Sequence, residues 1–161
     1  MTSNNHVRWV KNVRIKGLAC SLPEKVEEVA CLGEVFGTDS VAKIIGSTGV
    51  ERRHVVTDEC SSDLCFAAAE QLIADLGIDR SSIDTLIFVS QTHDYTLPAT
   101  ACVLQERLGL PMHTAAFDVA MGCSGYVYGL WTAASLLSGG GSKRALLLVG
   151  DTISKIVSPA D

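Results

Sequence analysis

The sequence predicts an α/β fold with a mostly parallel sheet, and three observations carry that prediction. Two short apolar runs, Thr85-Leu86-Ile87-Phe88-Val89-Ser90 and Ala145-Leu146-Leu147-Leu148-Val149-Gly150, have the length of strands buried on both faces. Stretches of helical period alternate with the strand-like runs, the order that a parallel sheet needs. A further strand, Ala116 to Ala120, runs into the turn Met121-Gly122-Cys123-Ser124-Gly125, which opens a helix. The chain has 161 residues, 47% of them hydrophobic and 19% charged. That is the size of one domain with enough apolar content for a core.

Val7 to Leu18 alternates roughly, with Val13, Ile15 and Leu18 apolar between Arg14 and Lys16, which predicts a first strand over about 10–20. Ser21-Leu22-Pro23 ends it. Glu27 to Phe36 reads as a helix stopped by Gly37. Asp39 or Ser40 then caps a short helix through Ile45, stopped by Gly46. Gly49 to Val56 reads as extended, one arm of a hairpin or a surface strand. Ser61 or Ser62 caps a helix through Leu76, with Asp63 in its first turn and Gly77 at its end. Phe66, Ala69, Leu72, Ile73 and Leu76 are its inward face.

Asp79 to Ile83 is a linker into the first buried strand. Gln91 to Leu97 is a loop, and Pro98 is placed as the first residue of a helix through Leu108. The helix after Cys123 carries Tyr126, Val127, Leu130, Trp131, Ala133, Ala134, Leu136 and Leu137 around nearly its whole circumference. A helix apolar all round is buried on every side. It is too short, with Gly125 and Gly129 inside it, to span a membrane. Ser138-Gly139-Gly140-Gly141-Ser142 follows a helix and leads into a strand, the reverse of a phosphate-loop order.

The net charge of −5 gives no bulk attraction to nucleic acid or to an anionic membrane surface. An acidic partner would need a local basic patch, for which Arg52, Arg53, Lys143 and Arg144 are the candidates. Six cysteines, at 20, 31, 60, 65, 102 and 123, form no CxxC, and Cys60 and Cys65 lack a second pair at zinc spacing. No metal site is expected, and free thiols fit a reducing cytoplasm. Met1 to Val10 is polar and has no signal-peptide apolar core.

Cys123 is the candidate nucleophile. The first N–H groups of a helix lack carbonyl partners, and the peptide dipoles place partial positive charge there. A thiol at that end has its thiolate favoured. Gly122 and Gly125 are expected to leave room for a substrate to approach the sulfur.

Beyond these readings, the segment Asp118 to Leu130 resembles the active-site segment of β-ketoacyl-acyl-carrier-protein synthase III, a condensing enzyme of thiolase fold. The likeness continues through Gly17…Leu22-Pro23, Ser47-Thr48-Gly49-Val50-Glu51-Arg52-Arg53-His54, Leu97-Pro98-Ala99-Thr100-Ala101, Gly150-Asp151 and Ser158-Pro159-Ala160-Asp161. The resemblance implies that residues 1–161 are an N-terminal thiolase-like half-domain, with the C-terminal half absent from the chain. Cys123 would take an acyl group from a thioester, and its backbone N–H would be one arm of the oxyanion hole. A carbanion from a malonyl-carrier thioester would then attack the acyl-enzyme, stabilised by a His and an Asn of the second half. None of His6, His54, His93 and His113 matches that His. His93 and His113 fall in loops and are expected to be exposed.

The same resemblance assigns substrate binding to Lys43, Ser47, Thr48 and Leu97. Family members commonly have a Trp at the position of Lys43, where it stacks on the coenzyme A adenine, and an Arg at that of Ser47. Lys offers no flat stacking surface, so a primer held by acyl carrier protein stands beside acyl-coenzyme A as the thioester substrate. Leu97 replaces a common Phe that reaches across a homodimer, which implies a different, longer primer. No permanently bound cofactor is implied. The competing functions are a Cys-dependent acyltransferase to oxygen or nitrogen on the same fold, and a non-catalytic subunit. The second half would also cover the all-round apolar helix.

Overall fold

The structure is a computed structural model and describes residues 10–157. His6, the start of the alternation at Val7 and the segment Ser158 to Asp161 lie outside the described residues.

Strand β3 (Thr85–Ser90) runs between β4 (Ala115–Ala120) and β5 (Ala145–Val149), parallel to both. Ile87 stands opposite Phe117 on one side and Leu147 on the other. All six residues of β3 are buried, as the unbroken apolar run predicts. Helices α3 (Ser61–Leu76) and α4 (Thr100–Arg107) close one face of the sheet. Cys65, Ala69 and Ile73 of α3 and Ala101 and Leu104 of α4 pack there on Leu86, Phe88 and Leu148. On the other face lies α5 (Gly125–Ser138), where Ile87, Val89 and Ala133 make a smaller core with Phe117, Val119 and Leu147.

Glycines let α5 approach the sheet. A β-carbon on Gly125 would come 2.7 Å from Val89 Cγ1, and one on Gly129 would come 2.8 Å from Val89 Cγ2 and 2.9 Å from Leu147 Cδ1. Asp118, on β4, anchors α4 from outside that helix. Its carboxylate accepts from the backbone N–H groups of Thr100 and Ala101, both at 2.7 Å. Two of the orphan donors of the α4 N-terminus are thereby satisfied.

The first half of the chain departs from the sequence reading in several places. Residues 10–25 form no strand. Alternation makes a strand only where a partner edge is in reach, and this segment crosses α3 instead. A β-carbon on Gly17 would meet Leu76 Cδ1 at 2.7 Å, while Leu18 is 76% exposed. The helix expected from Glu27 is a strand, β1 (Val26–Glu28), then a 3-10 turn and the single turn α1 (Gly33–Phe36). β1 pairs antiparallel with β2 (Arg52–His54), an exposed strand of the kind expected there, joined to it by a long connection. Gly37, at φ +86°, does end α1.

Helix α2 (Thr38–Thr48) runs through Gly46 and stops at Gly49, which is left-handed at φ +71°. Composition cannot tell which of two nearby glycines takes that conformation. At α3 the cap is Cys60, one residue earlier than expected, and its N–H donates to Asp63 Oδ2 at 2.9 Å. Gly77, left-handed at φ +57°, ends α3 as predicted, but Leu76 lies against Gly17 rather than in the core on the sheet, and is 44% exposed. Pro98 lies in a turn before α4, because the Asp118 cap fixes the helix start at Thr100. β5 is only half-buried.

The expectation that this chain alone cannot cover every face of the apolar helix holds for α5. Only Gly125, Gly129 and Ala133 are buried; Tyr126, Val127, Tyr128, Trp131 and Leu136 are exposed. The sheet covers one stripe of this helix, and no other described element covers the rest.

Candidate active site

Loops at the carboxyl ends of parallel strands gather side chains from distant parts of a sequence, which is where α/β sheets place their sites. Here three such loops meet. β3 continues into Gln91 and Thr92, β4 into Met121–Ser124, and β5 into Gly150–Thr152. Asp151 ties the first and third together. Its Oδ1 accepts from Ser90 Oγ (2.9 Å), Gln91 N (2.8 Å), Thr92 N (3.2 Å) and Thr92 Oγ1 (3.2 Å), and Oδ2 accepts from Gln91 Nε2 (3.3 Å). Thr92 Oγ1 also receives Thr152 N–H at 2.9 Å and lies 2.6 Å from Ser61 Oγ on α3.

Cys123 lies in the turn between β4 and α5, exposed. Met121 N–H donates to Val119 at 3.0 Å and Gly125 N–H to Gly122 at 2.7 Å, which pins both sides of the turn. The sulfur precedes the helix rather than lying in its first turn: Ser124 is the N-cap and Gly125 the first helical residue. The Cys123 backbone N–H donates to no acceptor among the described residues. The space at Gly122 and Gly125, expected for substrate, is filled by the protein's own side chains. A β-carbon on Gly122 would lie 2.7 Å from Gln91 Oε1, and Val89 occupies the corresponding position at Gly125.

All six cysteines are free. Burial, followed by the nearby Asp94 and Asp151 charges, pushes the Cys65 thiol up to about 12, so it stays protonated. Cys20, Cys31 and Cys102 are as exposed as Cys123, so exposure alone does not single out the candidate. The strand–turn–helix setting does.

The other predicted residues sit apart from this turn. Lys43 is exposed on α2. Ser47 Oγ and Thr48 Oγ1 both donate to Ile44 O, at 3.0 and 2.8 Å, and Thr48 Oγ1 accepts Val50 N–H at 3.2 Å. Their hydroxyls close the end of α2, and no hydrogen bond there reaches Cys123. Leu97 is 89% exposed. His54 Nδ1 lies 2.6 Å from Pro23 O, and His113 is exposed as expected. His93 is not. Its ring meets Phe88 edge-on at 5.6 Å, and its Nε2 is buried without a hydrogen-bond partner among the described residues.

The four basic residues form no single patch. Arg53 pairs with Glu27 at 3.2 Å. Lys143 and Arg144 border a recess with Ser82, Asp84 and His113, at the amino ends of the strands. No cluster of metal-ligating side chains occurs among the described residues, and no helix there is long and apolar enough to cross a membrane. Sequence reasoning gave no role to Gln91, and Asp151 entered only as part of a resembling dipeptide. An Asp directly after a buried strand is a signal, but its partners lie about 60 positions away.

The layered sheet with a nucleophile-type turn ahead of α5 is one half of a thiolase-like fold. Comparison with known proteins then narrows the class. The 3-oxoacyl-[acyl-carrier-protein] synthase III family profile matches residues 117–161. β-Ketoacyl-[acyl-carrier-protein] synthase III of Bradyrhizobium diazoefficiens is 39% identical over 144 residues, covering 89% of this chain and 44% of that protein. The Ruegeria pomeroyi protein of the same name is 37% identical over 148 residues, 91% of this chain and 45% of its own length. The crystal structure of a 3-oxoacyl-(acyl-carrier protein) synthase from Burkholderia xenovorans superposes with a TM-score of 0.85 at 44% identity, over 89% of this chain and 42% of that one. OleA of Xanthomonas campestris, solved with lauric acid and lauroyl-CoA, superposes at 0.79 with 28% identity, over 89% and 45%. The chain spans less than half the length of these relatives. The resemblance to the N-terminal half of a synthase III is shown across about nine tenths of the chain.

Proposed function

We propose that this chain is the nucleophile-bearing half of a β-ketoacyl thioester synthase. The observation that carries the reading is Cys123, exposed on a pinned turn at the carboxyl end of β4, inside the segment that matches the synthase III profile. The Cys123 thiolate attacks the carbonyl carbon of an acyl thioester. The oxyanion that forms is met by the Cys123 N–H, a donor type worth roughly 3–4 kcal/mol in comparable sites. Collapse expels the coenzyme A or carrier thiolate and leaves an acyl-cysteine. Loss of carbon dioxide from a malonyl-carrier thioester gives a carbanion, which attacks the acyl-cysteine carbonyl. The new carbon–carbon bond forms as the Cys123 thiolate leaves. A second half would supply the His and Asn for that step and cover the exposed side of α5.

Lys43, Ser47, Thr48 and Leu97 are assigned to the primer and its carrier, with acyl carrier protein or coenzyme A as thioester donor and a homodimer as the assembly. The chemistry of Leu97, flexible and exposed, favours a longer primer, and the lauroyl-CoA held by OleA gives that reading a precedent. Six free cysteines support a cytoplasmic setting.

Incubation with acyl thioesters, followed by peptide mass mapping, tests the reading. The wild type is expected to carry the acyl group on Cys123, and Cys123→Ala to carry none while unfolding at the same temperature. Equal acylation of the two proteins would remove the mechanism. Acylation without malonyl-dependent chain extension, transferred instead to an alcohol or amine, would favour the acyltransferase.

A further inference from the structure

Gly122 is not in the left-handed region of backbone space, so its conformation does not explain why this position lacks a side chain. Its surroundings do. The amide of Gln91 lies over it so closely that a β-carbon there would meet Oε1 at 2.7 Å, Cδ at 3.0 Å and Nε2 at 3.2 Å. That amide is itself held. Its Nε2 donates to Asp151 Oδ2 at 3.3 Å, and its backbone N–H donates to Asp151 Oδ1 at 2.8 Å. Asp151 is fixed in turn by Ser90 and Thr92. A continuous chain of contacts therefore runs from the end of β5, through Asp151 and Gln91, to the residue preceding Cys123.

We infer that Gln91 is a positioning residue for the nucleophile turn, a strut anchored on Asp151 and pressed against Gly122. Its hydrogen bonds go to Asp151 and not to the sulfur, and on this account it does not touch the substrate. Its work is to hold the turn so that the Cys123 sulfur and N–H keep a fixed relation while the thioester carbonyl changes from planar to tetrahedral. Misplacing a reacting group by about 1 Å costs on the order of 100-fold in rate. The inference rests on Cys123 being the nucleophile.

The test is a double-mutant cycle on the full chain. Gln91→Ala, Gly122→Ala and the pair are compared for the single-turnover rate of Cys123 acylation, its saturation constant, the rate of Cys123 alkylation by iodoacetamide, and thermal unfolding. Each single change is expected to slow acylation about 10–100-fold with little change in the saturation constant. The pair is expected to be faster than Gly122→Ala alone, because removing the Gln91 amide frees the space that the new methyl needs. Effects that simply multiply, or single changes without effect on acylation, would overturn the strut. Gln91→Met keeps the length and loses the bond to Asp151, and it is expected to behave like Gln91→Ala. Wild-type rates with Met would overturn the anchored form. If the wild type takes no acyl group but the cycle still shows coupling in the alkylation rates, the proposed function fails and the positioning role with it, leaving only a steric contact between Gln91 and the turn. If Cys123 is acylated and the cycle is additive, the proposed function stands and the strut alone is overturned.

Discussion

The two faces of the sheet are finished to different degrees. On the α3/α4 face, Phe88, Leu86 and Leu104 are fully shielded from solvent, and polar links lock the rim. Arg80 makes a paired contact with Glu70, at 2.7 and 2.9 Å, and Arg107 binds Asp63 at 2.9 Å while lying over the Phe66 ring. On the α5 face the core is three buried residues with a fringe of half-buried ones, and five large apolar side chains of α5 stay exposed. Both faces are made of the same kinds of residues. What differs is whether an element among the described residues covers them. Apolar surface gathered on one helix is the kind that protein interfaces use.

The largest effect that would sharpen this contrast comes from a matched pair of truncations. Phe88→Ala, on the closed face, is expected to destabilise by about 3–5 kcal/mol, the usual cost of emptying a packed aromatic site. Val127→Ser, on the open face of α5, is expected to stay within about 0.5 kcal/mol, as for surface positions generally. Denaturant unfolding of both variants measures it. A Val127→Ser loss as large as that of Phe88→Ala would mean that α5 is already covered, and the contrast would be gone.

A smaller effect belongs to Asp118, the carboxylate that crosses from β4 to α4. Asp118→Ala strips two N–H groups of their acceptor and is expected to cost about 1–2 kcal/mol, as for lost helix caps. Unfolding midpoints give the value, and exchange of the Thr100 and Ala101 amides should rise with it. Unchanged exchange at those amides would show that Asp118 does not hold the helix.

The smallest effect is on pH dependence. For Asp84, partial burial acts to raise the pKa, but Ser142 and the N–H groups of Lys143 and Arg144 outweigh it and hold the carboxyl below its ordinary 3.8. The N–H of Cys60, ahead of the Arg107 guanidinium, does the same for Asp63. A carboxyl whose pKa is lower in the folded state adds stability above its unfolded value, and that contribution is lost as pH falls through the folded value. Stability is therefore expected to fall with acid only below about pH 4, and Asp84→Asn to flatten part of that fall. A decline starting near neutrality would point to a different group.

How much of this was legible depended on the distance over which each feature is decided. β3 was readable because six consecutive buried residues leave a continuous apolar run. Gly37 and Gly77 were readable as helix ends, whereas the choice between Gly46 and Gly49 rested on a backbone angle that composition does not encode. The unformed strand at 10–20 has the right alternation but no neighbouring edge, a fact about other parts of the chain. The apolar circumference of α5 was visible, and so was the lack of enough other elements to cover it; which stripe meets the sheet was not, since that is decided by the approach at Gly125 and Gly129. The strand–turn–helix setting of Cys123 was readable from local sequence. Gln91 and Asp151 were not, because their meaning lies in a contact across about 60 residues.

That separation also sets an order in time. Chains leave the ribosome at roughly 5–20 residues per second, so Gln91 emerges about 3–12 seconds before Asp151, 60 positions later. For the latter part of that interval Cys123 is already synthesised, but the carboxylate that fastens the neighbouring loop does not yet exist. The turn is therefore completed only once the end of β5 has emerged, and a nascent chain carries its thiol in a slack, unassembled setting until then.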